Sequence, residues 1–164
     1  MKPAKEILYI FLTIFFCQYF SAQNVKRELT LVEKTYSIDS ICTKIDKNTD
    51  LVEGLAEGGY VNHKGGWETY DLKNKAGTEL FRIVHNSNFD GYTVRKFYYW
   101  KNRLIKAMIE KQDWNSGKMK LIYSATYYFD DNIFLKSNNE NPEHSTSEKV
   151  QLWGENYLKE FFGT

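Results

Sequence analysis

The residues able to do acid–base or ligand chemistry are few in this sequence and far apart in it. Three histidines, His63, His85 and His144, fall in separate segments, and the two cysteines are Cys17 and Cys42. Metal binding needs ligands that converge at fixed spacing, and no His or Cys pair stands at ligand spacing, so neither a metal site nor a cofactor is expected. His63 beside a glycine turn and His85 at a strand end are the candidates for a general base, and both positions equally suit an ordinary hydrogen-bonded histidine. No Gly-x-Ser-x-Gly elbow or catalytic-cysteine signature occurs. Asp130-Asp131 sits where a turn favours aspartate for backbone reasons. Glu68 and Asp71 fall on opposite faces of a strand, where side chains alternate, so they do not form a carboxylate pair. Gly58-Gly59 and Gly65-Gly66 lack the Lys-Ser/Thr and helix start of a phosphate loop. The chain is expected not to be an enzyme; a third class, a small secreted enzyme, would need one histidine and one carboxylate to meet in a cleft.

What stands out is the aromatic content, with 4 Trp, 12 Tyr and 11 Phe in 164 residues, against 22 basic and 21 acidic residues. A charge balance this even argues against nucleic acid as a partner, because that binding is driven by excess positive charge on one face. Aromatic side chains fall on both faces of the strand ending at Trp100. Either both faces are covered, by two helices or by sheet curvature, or one set is an exposed platform. The candidate platform is Tyr98, Trp100, Tyr127 and Phe129 with the basic neighbours Arg95 and Lys96, and Arg103 and Lys106 add to a preference for acidic ligands. Such a surface would engage an envelope or extracellular protein, an inhibitor or immunity role being of this kind. The second reading is a polysaccharide or cell-wall ligand, bound through Trp100 or Trp114.

The elements that must position these residues can be read from periodicity. Leu29, Val32, Tyr36, Ile38, Ile41, Cys42 and Ile45 predict a helix over residues 25–48, either continuous or broken near Ser37. Runs rich in aromatic and β-branched residues follow, at 58–61, 65–72 and 80–85, then at 93–100, 104–114, 120–129 and 133–136, with Lys101-Asn102-Arg103 and Asp130-Asp131-Asn132 as hairpin turns. Phe97-Tyr98-Tyr99-Trp100 through Ile105 echoes Thr126-Tyr127-Tyr128-Phe129 through Phe134, an offset of 29 residues, with a looser third copy from Trp67 to Ile83. Three hairpins predict about six strands. After a polar loop at 137–147, Ser145 and Glu148 form a capping box ahead of Val150, Trp153, Tyr157 and Phe161, one aromatic face of a second helix. The fold class expected is α+β, an antiparallel meander with an N-terminal and a C-terminal helix.

The Tyr-Tyr-aromatic, turn, aliphatic unit at 98–105 and 127–134 resembles the hairpin units of MORN-like repeat proteins and of small exported bacterial proteins. The resemblance covers roughly residues 60–140 and implies an exported hairpin-repeat protein, with no catalytic residue. At the N-terminus, Lys2 and Lys5 precede the apolar run Ile7–Phe16, and Phe20-Ser21-Ala22 offers a small-residue cleavage site. Residues 1–22 therefore read as a signal peptide and 23–164 as one secreted or periplasmic domain with no membrane span after cleavage. Cys42 would then be the sole thiol, a small core residue at helical spacing or the site of an intermolecular disulfide.

Overall fold

The computed structural model describes residues 31–58, 65–89, 91–115 and 118–163. The predicted signal segment and His63 lie outside them, as does the side chain of Trp114. The chain divides into two compact units, 1–37 and 38–164; of the first, residues 31–37 are described and all are helical. Helix α1 covers residues 31–47 without interruption, so of the two forms the sequence left open, continuous or broken near Ser37, the continuous one is present. Seven strands follow: β1 (Val52–Gly58), β2 (Trp67–Lys73), β3 (Leu80–Ser87), β4 (Tyr92–Trp100), β5 (Arg103–Asn115), β6 (Lys118–Asp130) and β7 (Ile133–Asn138). They form one antiparallel sheet in sequence order, and α2 (Ser147–Phe162) closes the chain.

The expected meander and flanking helices are present, with seven strands rather than six. The strand missed is β1, whose Val-Glu-Gly-Leu-Ala-Glu-Gly sequence has little β-propensity. Its glycines have a packing reason. A Cβ on Gly54 would strike the Asp71 carboxylate, and one on Gly58 would enter the Trp67 ring.

The hairpin turns follow from the asparagines. Lys101-Asn102 and Asp131-Asn132 all have positive φ, between 53° and 66°, as a two-residue turn between twisted strands requires. Each asparagine also ties its turn to the neighbouring hairpin: Asn102 Oδ1 accepts from Leu80 N at 3.0 Å, and Asn132 Oδ1 accepts from Leu104 N at 2.8 Å. Equating these two asparagines makes Tyr98 equivalent to Tyr128 and Phe97 to Tyr127, one residue away from the offset of 29. In each hairpin the returning strand carries an extra residue at a register shift, Phe81, Ile105 and Leu135. All three belong to one apolar cluster on the α1 side of the sheet.

Each helix covers its own face. On one, Ile38, Ile41, Cys42 and Ile45 of α1 pack against Leu72, Tyr98, Ile105, Met108 and Tyr128. The cross-strand row Arg82, Tyr98, Lys106, Tyr128 runs beneath this helix. Asp46 accepts from Arg82 Nη1 at 2.6 Å and from the Tyr98 hydroxyl at 2.7 Å. Asp39 accepts from Lys106 Nζ at 2.6 Å and from the Tyr128 hydroxyl at 3.2 Å. The seven residues from Asp39 to Asp46 advance about 10.5 Å along the helix, and two strand spacings about 9.6 Å, so Asp39 and Asp46 match the tyrosines two strands apart. On the other face Val150, Trp153, Tyr157, Leu158 and Phe161 of α2 pack on Leu80, Ile83, Phe97, Tyr99, Leu104, Ala107, Tyr127 and Phe129. The helix N-cap is Thr146, one residue beyond the expected Ser145. Ser145 is instead buried, its Oγ at 2.7 Å from the Tyr127 hydroxyl and 2.9 Å from that of Tyr123.

Candidate functional site

The double coverage removes the aromatic platform. Tyr98 is buried under α1, while Tyr127 and Phe129 are buried under α2, on the opposite face. The opposite set fares no better, since Phe97 and Tyr99 are wholly buried too. Of the four rings only Trp100 is exposed, at 42%. Arg95 and Lys96 point to opposite faces because successive strand residues alternate; Lys96 is level with Met108 and Arg95 with Ile109. Lys106 is taken by Asp39, and Arg103 pairs with Asp131 across the hairpin tips. The physical reason is that each helix needs an apolar face to bury, and a sheet between two helices spends its aromatics on both.

The structure leaves a different site open. Helix α2 packs on Ile83, Phe97, Ala107 and Tyr127 of one cross-strand row and on residues nearer the hairpin turns. Two further rows lie beyond it on the same face: Thr69, His85, Arg95, Ile109, and then Trp67, Ser87, Thr93, Lys111, Tyr123. The second row is small at its centre, where Ser87 and Thr93 sit, and large at its ends. With the segment around His144 and the first turns of α2 as a wall, these rows floor a cleft of about 340 Å³, lined also by Phe89, Glu143, Lys149 and Trp153.

Two of its cations, Arg95 and Lys149, lie on one aromatic ring. The Arg95 guanidinium carbon lies 4.1 Å from the centre of the Trp153 ring, and Lys149 Nζ lies 5.2 Å from the same centre. Among the described residues no carboxylate comes within 4 Å of either cation. Two cations of the α1 face differ: Arg82 has Asp46 and Glu53, and Lys106 has Asp39. Arg95 Nε is buried with no hydrogen-bond partner. Arg82 Nε shares that state, but its guanidinium is already neutralised by two carboxylates.

His85 stands at the centre of the floor. Its ring stacks on Trp67 with centroids 5.9 Å apart and meets Tyr157 at 5.5 Å, and its Nδ1 lies 2.9 Å from the Thr69 hydroxyl. Burial, and then the charge of Arg95, hold its pKa below the usual 6.5, so the imidazole is neutral at physiological pH. Burial raises the pKa of Tyr157, against the pull of Arg95. His144 packs on Tyr123 with ring centroids 4.6 Å apart.

Of the residues singled out in the sequence, the fold brings Arg95 and His85 together in this cleft, and His144 with them. Sequence reasoning missed Trp67, Lys149 and Trp153 as site residues. The available signal was the parity of His85, Arg95 and Trp67 in their hairpins, which places all three on one face. Among the described residues no group of three or more His, Cys, Asp or Glu could hold a metal ion. Cys42 is buried under α1, and its thiol is pushed up to about 12 by that burial, which makes it a core residue and not a reactive one. Comparison with protein-family models, curated proteins and solved structures found no match to this chain.

Proposed function

We propose that the protein is a non-catalytic, exported binding protein that takes an acidic group of an envelope or extracellular ligand into the cleft beside α2. The observation that carries this reading is the pair Arg95 and Lys149, anchored on one indole ring in a concave site with no carboxylate against them. Charge left uncompensated in a partly desolvated cleft attracts an anion more strongly than the same charge in water. Export rests on Lys2, Lys5, the apolar run 7–16 and the Ser21-Ala22 site.

The non-catalytic part of the reading rests on the surroundings of His85. A Thr–His pair is present, but the group that stabilises the imidazolium in hydroxyl catalysis is an acid. Here the neighbour is Arg95, which opposes that charge. Glu143 lines the cleft, so a histidine and a carboxylate do share it, yet the charge set around His85 is cationic.

A thermal-shift titration of residues 23–164 tests the reading. Polygalacturonate, polyglutamate and neutral dextran are compared at low salt. At least one acidic polymer should raise Tm, dextran should not, and Lys149→Glu should abolish the rise. No rise with either polyanion, or an equal rise in the Lys149→Glu variant, would sink the proposal.

A further inference from the structure

Resting on that reading, we infer that the acidic group belongs to a sugar ring, so that the cleft is a subsite for one acidic monosaccharide unit of a glycan. Three features separate this ligand from a bare anion, an aryl acid and an acidic peptide side chain. The first is size: about 340 Å³ is near the lower end for ligand sites and admits one ring with a charged substituent rather than a longer segment. The second is the mixture of lining groups. A sugar presents an apolar C–H face and an edge of hydroxyls, and the cleft offers both counterparts, the indole of Trp67 at its rim and the hydroxyls of Ser87 and Thr93 at its centre. An aryl acid would leave those hydroxyls without partners in a partly desolvated floor, which weakens its binding. The third is the position of the charge. Arg95 and Lys149 gather at one wall, on Trp153, while Trp67 lies across the sheet on β2, so the ligand must carry its anion at one end and its flat face at the other. A carboxylate on a pyranose ring has that layout, and the guanidinium of Arg95 matches it with two parallel N–H donors.

The test uses the full mature chain and four probes followed by ligand-observed NMR and calorimetry: sodium glucuronate, glucose, phenyl phosphate and N-acetyl-aspartate amide. Glucuronate is expected to bind with a dissociation constant of order 1 mM, as suits a ligand of its size, and glucose at least tenfold more weakly. Arg95→Met, which keeps an unbranched side chain and removes the guanidinium, should cost tenfold or more. Lys149→Glu lies on an exposed helix surface and should cost a similar factor, so it serves if Arg95→Met folds poorly. Trp67→Ala should weaken glucuronate, whose C–H face loses the indole. Binding of phenyl phosphate or of the aspartate amide in preference to glucuronate, with the same dependence on Lys149, would overturn the sugar assignment and leave the acidic-ligand reading standing. Binding of none of the four would remove both. Equal binding of glucose and glucuronate would overturn both as well, since the cations would then have no role.

Discussion

At the scale of single residues, the polar groups of the two faces have opposite duties. Under α1 Arg82 and Lys106 each meet a carboxylate, and Tyr98 and Tyr128 donate their hydroxyls to the same carboxylates. These contacts fix where the helix sits. In the α2 cleft Arg95 and Lys149 lie on one indole ring instead, and His85 is held neutral beside Arg95. That has a pH consequence with a definite sign. Because the folded pKa of His85 lies below the unfolded 6.5, the unfolded chain binds more protons just below that pH. The stability contribution of neutral His85 is therefore present above about 6.5 and lost as pH falls through the window beneath it. A His85→Gln variant, which stays neutral and retains a hydrogen-bonding side chain at Thr69, should lose less Tm than the parent between pH 7 and pH 5. An equal loss in the two proteins would show that other groups control acid stability.

At the scale of elements, α2 sits close against the sheet. Gly154 faces the sheet, and a Cβ there would come 2.8 Å from Leu104 Cδ2 and 3.3 Å from Phe97 Cδ1. Both neighbours are fully buried and have nowhere to move. The Tyr99 hydroxyl also donates to Gly154 O at 2.8 Å, which binds the same point of the helix to the middle of the sheet. Alanine in a helix interior ordinarily gains about 1 kcal/mol over glycine, yet overpacking of a dense core costs about 1–3 kcal/mol. Gly154→Ala should thus be net destabilising, by about 1 kcal/mol in urea denaturation, and a more stable variant would mean that α2 slides freely. The C-terminus of the helix needs its glycine for a different reason: Gly163 has φ of 68° and donates its N–H to Glu160 O, closing the last turn in the left-handed conformation.

For the whole molecule, the architecture is a sheet with a helix on each face, and its integrity depends on contacts distant in sequence. Asp46 is the clearest: it joins α1 to β3 and β4 through Arg82 and Tyr98. Asp46→Ala would leave the Tyr98 hydroxyl, on a residue only 3% exposed, without its acceptor and Arg82 with Glu53 alone. A cost of about 2 kcal/mol is expected in chemical denaturation, with an unchanged m-value. Among the described residues no helix is long and apolar enough to cross a membrane. Ligand titrations read the cleft, while the Asp46 and Gly154 variants read the scaffold.

What the sequence determined by itself is what short range decides. Hairpins between 92 and 138 follow from Asn102 and Asn132, since few residues tolerate the left-handed turn, and alternating aromatic and β-branched runs mark the strands on either side. The aromatic face of α2 follows from the spacing of Val150, Trp153, Tyr157 and Phe161. Strand β1 escaped because its glycines answer to Asp71 and Trp67 on the neighbouring strand, a contact no local pattern records. The fate of the aromatics was beyond local reading for a stricter reason. A strand of period two states which residues share a face but not whether that face is covered, and an error of one residue in aligning two hairpins exchanges Tyr127 for Tyr128 and so one face for the other. Only the tertiary structure decided that both faces are buried and that a cleft remains beside α2. It also decided that Arg95, Lys149 and His85, spread over three elements, meet in the space that remains.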